Sequence, residues 1–217
     1  MKPALSVFLL QAIGLASAWQ SSLETSSRRG FFQTVAASAV SASAVVGTAV
    51  QPVNAAGSKV IRFGDESIMA PKEHGTSAKA VQEDLQYGVS RKLADQICNF
   101  NRRFAEPAGY FTATSFQDVV MENAEKGPLM FYDSVTGKPL FQAPVSRSAQ
   151  TFVAESRVHG WPSFRDDEVV WDNVRVLKRS GEVVSVDGTH LGHNLPDDKG
   201  NRYCINLVSI AGKPVSA

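Results

Sequence analysis

From Pro107 onward the chain is cut into short lengths by turn-forming residues, and that spacing limits what it can fold into. Gly127-Pro128, Thr136-Gly137, Gly160, Pro162, Ser180-Gly181, Gly188 and Asp198-Lys199-Gly200 recur at short intervals. Between them lie β-prone runs: Leu129–Tyr132, Val169–Trp171, Val174–Leu177 and Val183–Val186. Short strands bounded by turn residues favour a mainly β barrel or sandwich over repeated strand–helix–strand units. Ahead of Pro107, Val81, Leu85, Val89, Leu93 and Ile97 recur every four residues. That period predicts helix over 77–104, in two pieces split at Gly88-Val89-Ser90, with Ser90 as an N-cap. Residues 56–76, which contain Gly57, Gly64 and Pro71, read as an extended lead-in. The folded domain is therefore expected at 77–217, helical over 77–104 with a β core at 105–217.

The first 55 residues read as targeting signals. Lys2 precedes an apolar run from Ala4 to Leu15, closed by Ala16-Ser17-Ala18, the order of a signal peptide over 1–18. A membrane anchor is the alternative, but a dozen apolar residues cannot cross ~30 Å of hydrocarbon as a helix. Arg28-Arg29 then precedes an Ala/Ser/Val-rich run, Val35 to Val50, ending in Val53-Asn54-Ala55. Over 19–55 this is similar to a transit segment with a twin-arginine signal, although a basic patch alone accounts for one Arg-Arg pair. The two parts together resemble a bipartite algal plastid presequence. The expected destination is the plastid, in the thylakoid lumen (chloroplast), with no stable membrane insertion after processing.

Composition narrows the partners. The chain has 217 residues and a formal net charge of +1, and it stays near neutral without its first 55 residues. No nucleic-acid or polybasic membrane partner is indicated. Two cysteines, Cys98 and Cys204, make at most one disulfide, too few for a stapled secreted scaffold, so a redox or catalytic use of at least one is expected.

Reactive groups concentrate between His190 and Asn206. Two imidazoles (His190, His193), Asp197, Asp198, Arg202, Cys204 and Asn206 fall within this stretch. With strand alternation, Arg202, Cys204 and Asn206 share one face, while Tyr203, Ile205 and Leu207 face a core. A thiol reacts as its thiolate, which a neighbouring guanidinium or imidazole favours. Three readings remain open on the residues alone: a nucleophilic thiol beside histidines, a metal site of His190 and His193 completed by Asp187 or Cys204, or both histidines hydrogen-bonded inside a turn with Cys204 merely buried.

Three segments resemble one family, the B-type methionine sulfoxide reductases, which reduce the R epimer of methionine sulfoxide. They are Phe131 to Phe141 (F-Y-D-S-V-T-G-K-P-L-F), Gly160 to Phe164 (G-W-P-S-F), and His190-Leu-Gly-His193 with Arg202-Tyr-Cys-Ile-Asn206. The resemblance covers roughly 102–213. It implies two antiparallel sheets forming an open, barrel-like domain with short helices at the start. It implies Cys204 as the nucleophile and His193, then His190, as the acid, with Asp197 as a partner that orients them near the substrate. It also implies Arg202 favouring the thiolate, Asn206 hydrogen-bonding near the sulfoxide and Trp161 against the substrate methyl group. Cys204 would pass to a sulfenic acid. Cys98 or an external thiol, small or thioredoxin-like, would then resolve it.

Departures from the family pattern are equally specific. Many members bind structural zinc through two C-x-x-C pairs, but Asp133, Thr136, Val184 and Asp187 stand at those positions. No thiolate cage can form, so neither zinc nor another bound cofactor is expected. Where many members have a resolving cysteine this chain has His159, and Asn194-Leu195 replaces the usual Val-Phe. The expected substrates are oxidised proteins or free methionine sulfoxide, in protein repair under oxidative stress. A catalytically weak module of the same fold that binds a lumenal partner is the alternative.

Overall fold

The computed structural model describes residues 60–215; the signal and transit segments assigned to 1–18 and 19–55 lie outside them. Strands β1 (Phe63–Gly64), β2 (Leu129–Tyr132), β3 (Pro139–Ala143), β4 (Ser163–Phe164), β5 (Val174–Leu177), β6 (Glu182–Ser185), β7 (His190–Asn194) and β8 (Tyr203–Ile205) form two sheets. The larger runs β1-β5-β6-β7-β8-β4 and the smaller is the β2–β3 hairpin. Every pairing is antiparallel except that of β1 with β5. The lead-in thus supplies an edge strand. The fold is mainly β and antiparallel-rich, and the sheets do not close into a barrel.

Helices are fewer at the start and more numerous later than the periodicity predicts. Only α1 (Arg91–Asp95), continued by a π-helical turn over Gln96–Phe100, is helical within 77–104, apart from a 3-10 turn at Gln86–Gly88. Ser90 does cap α1, its side chain accepting from the Leu93 amide. Residues 77–85 are irregular because their donors leave the segment: the Val81 amide reaches Asp95, that of Gln82 the Ser134 carbonyl, and that of Gln86 the Ala211 carbonyl. Val81 and Leu85 still point inward, and a four-residue spacing alone cannot separate a helix from an irregular strap on a core. Two helices lie inside the β region, α2 (Phe116–Glu122) and α3 (Ala149–His159). Val169–Trp171 follows a 3-10 helix and is not a strand: Val169 makes one isolated bridge to Phe141 and Trp171 opens a turn. Glu168 is wholly buried and ion-paired with Arg147.

The core is aromatic. Phe116 of α2, Phe131 and Phe141 of the hairpin, Phe152 of α3 and Phe164 of β4 are all solvent-excluded. Phe141 stacks on Phe164 at 4.4 Å between centroids, and Phe131 meets Phe164 edge-on at 5.4 Å. Burying each ring stabilises by about 1.5–3 kcal/mol. Tyr203, Ile205 and Leu207 point into this core as the alternation predicts, which turns Cys204 to the opposite face of β8.

Candidate active site

Register brings the reactive groups together. Cys204 on β8 pairs with His193 on β7 and with Ser163 on β4, and His193 pairs with Glu182 on β6. Directly opposed residues share a sheet face, with Cβ atoms roughly 4.5–5.5 Å apart. His193 therefore faces Cys204 from the adjacent strand. Gly192 makes this approach possible, because a Cβ there would lie 2.0 Å from the Cys204 carbonyl oxygen.

The same face lines a cavity of about 220 Å³ bounded by Arg103, Ala105, Trp161, His190, Gly192, His193, Leu195, Cys204 and Asn206. Five residues singled out in the sequence meet there: Cys204, His193, His190, Asn206 and Trp161. Trp161 is held at both ends. Gly160 closes α3 in the left-handed conformation at φ 86°, and the indole Nε1 donates to the Glu106 carbonyl at 3.0 Å. Asn206 is buried; its Oδ1 accepts from the Glu106 amide at 2.9 Å and its Nδ2 donates to Leu191 O at 3.0 Å. One amide hydrogen of Asn206 is left for a ligand.

His190 is buried, with Nδ1 2.8 Å from Glu182 Oε1, and its ring lies 5.6 Å from that of His193. Arg102 grips Glu182 through Nη2 at 2.6 Å. Burial alone would raise the Glu182 pKa, but the bonds from His190 and Arg102 together hold it below the usual range. Glu182 thus occupies the orienting position expected of Asp197. Its signal was available: a hairpin turning at Asp187-Gly188 sets 182 opposite 193. Asp197 is instead bidentate to Arg165, at 2.9 and 2.8 Å, and 3.4 Å from Arg202 Nε. It does not line the cavity.

Electrostatics are mixed around the thiol. Burial pushes the Cys204 pKa up, while hydrogen bonding and charge from Arg202 pull it down and the Glu106 charge pushes it up again; the net direction is upward. Arg202 acts in the expected sense but is outweighed. It is buried and absent from the cavity wall, with Nε and Nη1 lacking hydrogen-bond partners among the described residues. Burial and the His190 charge lower the His193 pKa against the opposing pull of Glu182. At neutral pH the resting pair is a thiol facing a neutral imidazole.

Cys98 stands apart. It is solvent-excluded, packed with Val81, Ala94, Ile97, Val135 and Val208, with Sγ 3.6 Å from Ser209 Oγ. Burial drives its pKa upward, and it does not line the cavity. The zinc positions do not fit a metal. The wholly buried Asp133 carboxylate already accepts from the Val135 amide at 2.8 Å and from Thr189 Oγ1 at 2.9 Å, Val184 has no donor atom, and Asp187 pairs with Lys138. Among the described residues, ligand atoms of Glu155, His159 and Asp197 lie within 4.8 Å of one another. Arg165 already bridges both carboxylates.

A half-buried cysteine faced by an imidazole, walled by an indole and set on a mainly β scaffold defines a thiol-based site. No family model matches the chain. The peptide methionine sulfoxide reductase MsrB of Methanosarcina mazei is 35% identical over 108 residues, 46% of this chain and 70% of that protein. MsrB of Methanosarcina barkeri is 33% identical over 109 residues, covering 46% and 69%. The mitochondrial methionine-R-sulfoxide reductase B2 of Danio rerio is 27% identical over 119 residues, covering 48% and 61%. The chain belongs to the MsrB family.

Proposed function

We propose that this protein reduces methionine-R-sulfoxide to methionine by thiol chemistry at Cys204. The observation that carries the reading is the convergence of Cys204, His193, His190, Trp161 and Asn206 on one cavity of about 220 Å³. Cys204 sulfur attacks the sulfoxide sulfur. His193 takes the thiol proton and returns it to the departing oxygen, a role suited to an imidazole that rests neutral. The Cys204–substrate S–S bond replaces the sulfoxide S–O bond, the protonated oxygen departing as hydroxide; that hydroxide attacks the Cys204 sulfur and the S–S bond breaks. Methionine leaves, reduced by two electrons, and Cys204 becomes a sulfenic acid, oxidised by two. The Trp161 face suits the substrate methyl group beside a polarised sulfur, and the spare Asn206 amide hydrogen suits the sulfoxide oxygen.

The reset is assigned to an external thiol, small or thioredoxin-like. It condenses with the sulfenic acid to release water, and a second thiol frees Cys204 as a disulfide leaves. The burial of Cys98 and its absence from the cavity wall favour this over internal resolution. The proposed setting is protein repair in the thylakoid lumen, a reading that rests on the targeting signals of residues 1–55. Among the described residues no helix is long and apolar enough to cross a membrane.

The test is dithiothreitol-driven reduction of chirally pure R and S methionine sulfoxides in a blocked peptide and as the free amino acid. Turnover of the R epimer that is abolished in Cys204→Ser is the expected result. No turnover, or turnover undiminished by that substitution, overturns the reading and leaves the partner-binding alternative. Sequencing the mature N-terminus tests the compartment: a start near Ala56 fits the lumen and one near Trp19 does not.

A further inference from the structure

Glu106 was not singled out in the sequence, yet it ties together more of the site than any cavity residue. It is almost wholly buried. Its carboxylate accepts from the Leu207 amide at 2.8 Å and the Val208 amide at 3.0 Å, the turn that directly follows Cys204-Ile205-Asn206. Its own amide donates to Asn206 Oδ1 at 2.9 Å, and its carbonyl accepts the Trp161 indole at 3.0 Å. Four hydrogen bonds from one residue therefore reach the substrate-facing indole, the amide and the backbone behind the thiol.

We propose that Glu106 is a positioning residue for the chemistry at Cys204, clamping Trp161, Asn206 and the following turn while its carboxylate charge opposes thiolate formation. The inference rests on the sulfoxide-reductase reading of the same site. Burial raises the Glu106 pKa to about 7 despite the two amide bonds, so its charge changes within the working range. Arg202 acts on Cys204 in the opposite sense, and Glu106 acts with Asp95 and Asp133 on the buried Cys98. A buried charge weakly shielded from a neighbouring thiol shifts that thiol more than a surface charge would.

Two variants of the full chain separate position from charge. Glu106→Gln removes the charge and turns one amide hydrogen-bond acceptor into a donor. Glu106→Asp keeps the charge but is one methylene too short to hold both turn amides. Iodoacetamide alkylation of Cys204 against pH, located by mass spectrometry, reads the thiol without substrate. The expected result is an alkylation curve shifted to lower pH in Glu106→Gln and unshifted in Glu106→Asp. Both variants should lose kcat/KM on the order of tenfold or more, mostly in kcat, as misplaced site groups do. A Glu106→Gln curve superimposed on wild type overturns the proposal, as does wild-type turnover in Glu106→Asp. If Glu106→Gln does not fold, the Asp variant alone decides the positioning claim. Absent turnover in the wild type would sink the functional reading, while the alkylation curves would still decide whether Glu106 acts on Cys204.

Discussion

Replacing Gly192 by alanine is the sharpest available perturbation of the site, because it adds one methyl group between the two strands that carry the chemistry. An ideal Cβ at 192 lies 2.0 Å from the Cys204 carbonyl oxygen and 3.0 Å from the Cys204 carbonyl carbon and the Ile205 Cα. Non-bonded carbon atoms settle at roughly 3.5–4.0 Å, and even a tight carbon–oxygen contact needs about 1 Å more than is present. The obstructing atoms are backbone, so β7 must move off β8 by about that amount. His193 sits one residue from the insertion and pairs with Cys204. A displacement of about 1 Å costs on the order of 100-fold in rate, and overpacking costs roughly 1–3 kcal/mol of stability. Gly192→Ala should therefore remain folded, with a melting point lowered by roughly 2–12 °C for a domain of this size. Its kcat/KM for a blocked R-sulfoxide peptide should fall on the order of 100-fold. Stability can be followed by calorimetry and turnover by methionine release. A variant within threefold of wild-type kcat/KM would refute the argument that strand proximity at Gly192 sets the His193–Cys204 geometry.

Other outcomes follow from the same structure. Asp133→Ala leaves the Val135 amide and Thr189 hydroxyl without their acceptor in a solvent-excluded corner; each orphaned group costs about 1–3 kcal/mol, giving an expected loss of about 3 kcal/mol by urea unfolding. A chelator should leave the wild-type unfolding midpoint unmoved, and a chelator-sensitive midpoint would refute the assignment of that corner to hydrogen bonds. Cys98→Ser should keep turnover within about threefold of wild type with dithiothreitol as reductant, since its sulfur lies outside the cavity; a Cys98–Cys204 disulfide in trapped wild-type enzyme would contradict this. Stability should fall on both sides of a mildly acidic optimum. Asp197, held low chiefly by Arg165, and Glu182, held low against burial by His190 and Arg102, stabilise above their unfolded values and lose that contribution as pH falls through their folded ones. Glu106, raised by burial to about 7, works in reverse: its contribution is complete below about 4.5 and lost as pH rises through about 7, worth about 3 kcal/mol by linkage. A thermal midpoint that keeps rising from pH 5 to pH 8 would contradict this assignment.

Local chemistry explains what could be read without a structure. Turn residues and β-branched runs located β2 and β5 to the residue, because a strand's limits are set where the chain must turn. Period-two alternation turned Tyr203 and Ile205 inward and Cys204 outward, since a pleated strand leaves no other choice. The motif residues Trp161, His190, His193, Cys204 and Asn206 were all nameable in advance. The helix over 77–104 misled because apolar spacing reports which side chains face a core and is silent on where backbone donors go. At Val81, Gln82 and Gln86 those donors are taken by Asp95, Ser134 and Ala211, up to 125 positions away.

Long-range partners decided the rest. A carboxylate in a sequence carries no mark of what it will bind. Asp197 stands four residues from His193 yet is claimed by Arg165, whereas Glu182 reaches His190 only once β6 and β7 pair. Glu106 meets the site only because the segment after α1 folds back over β8, about 100 residues further along. The sequence by itself determined a mainly β fold and which thiol stands on a strand beside two histidines, since both depend on local periodicity and side-chain chemistry. Only the tertiary structure decided which charges surround that thiol and whether Cys98 can approach it, because burial and electrostatic neighbours arise from packing between distant segments.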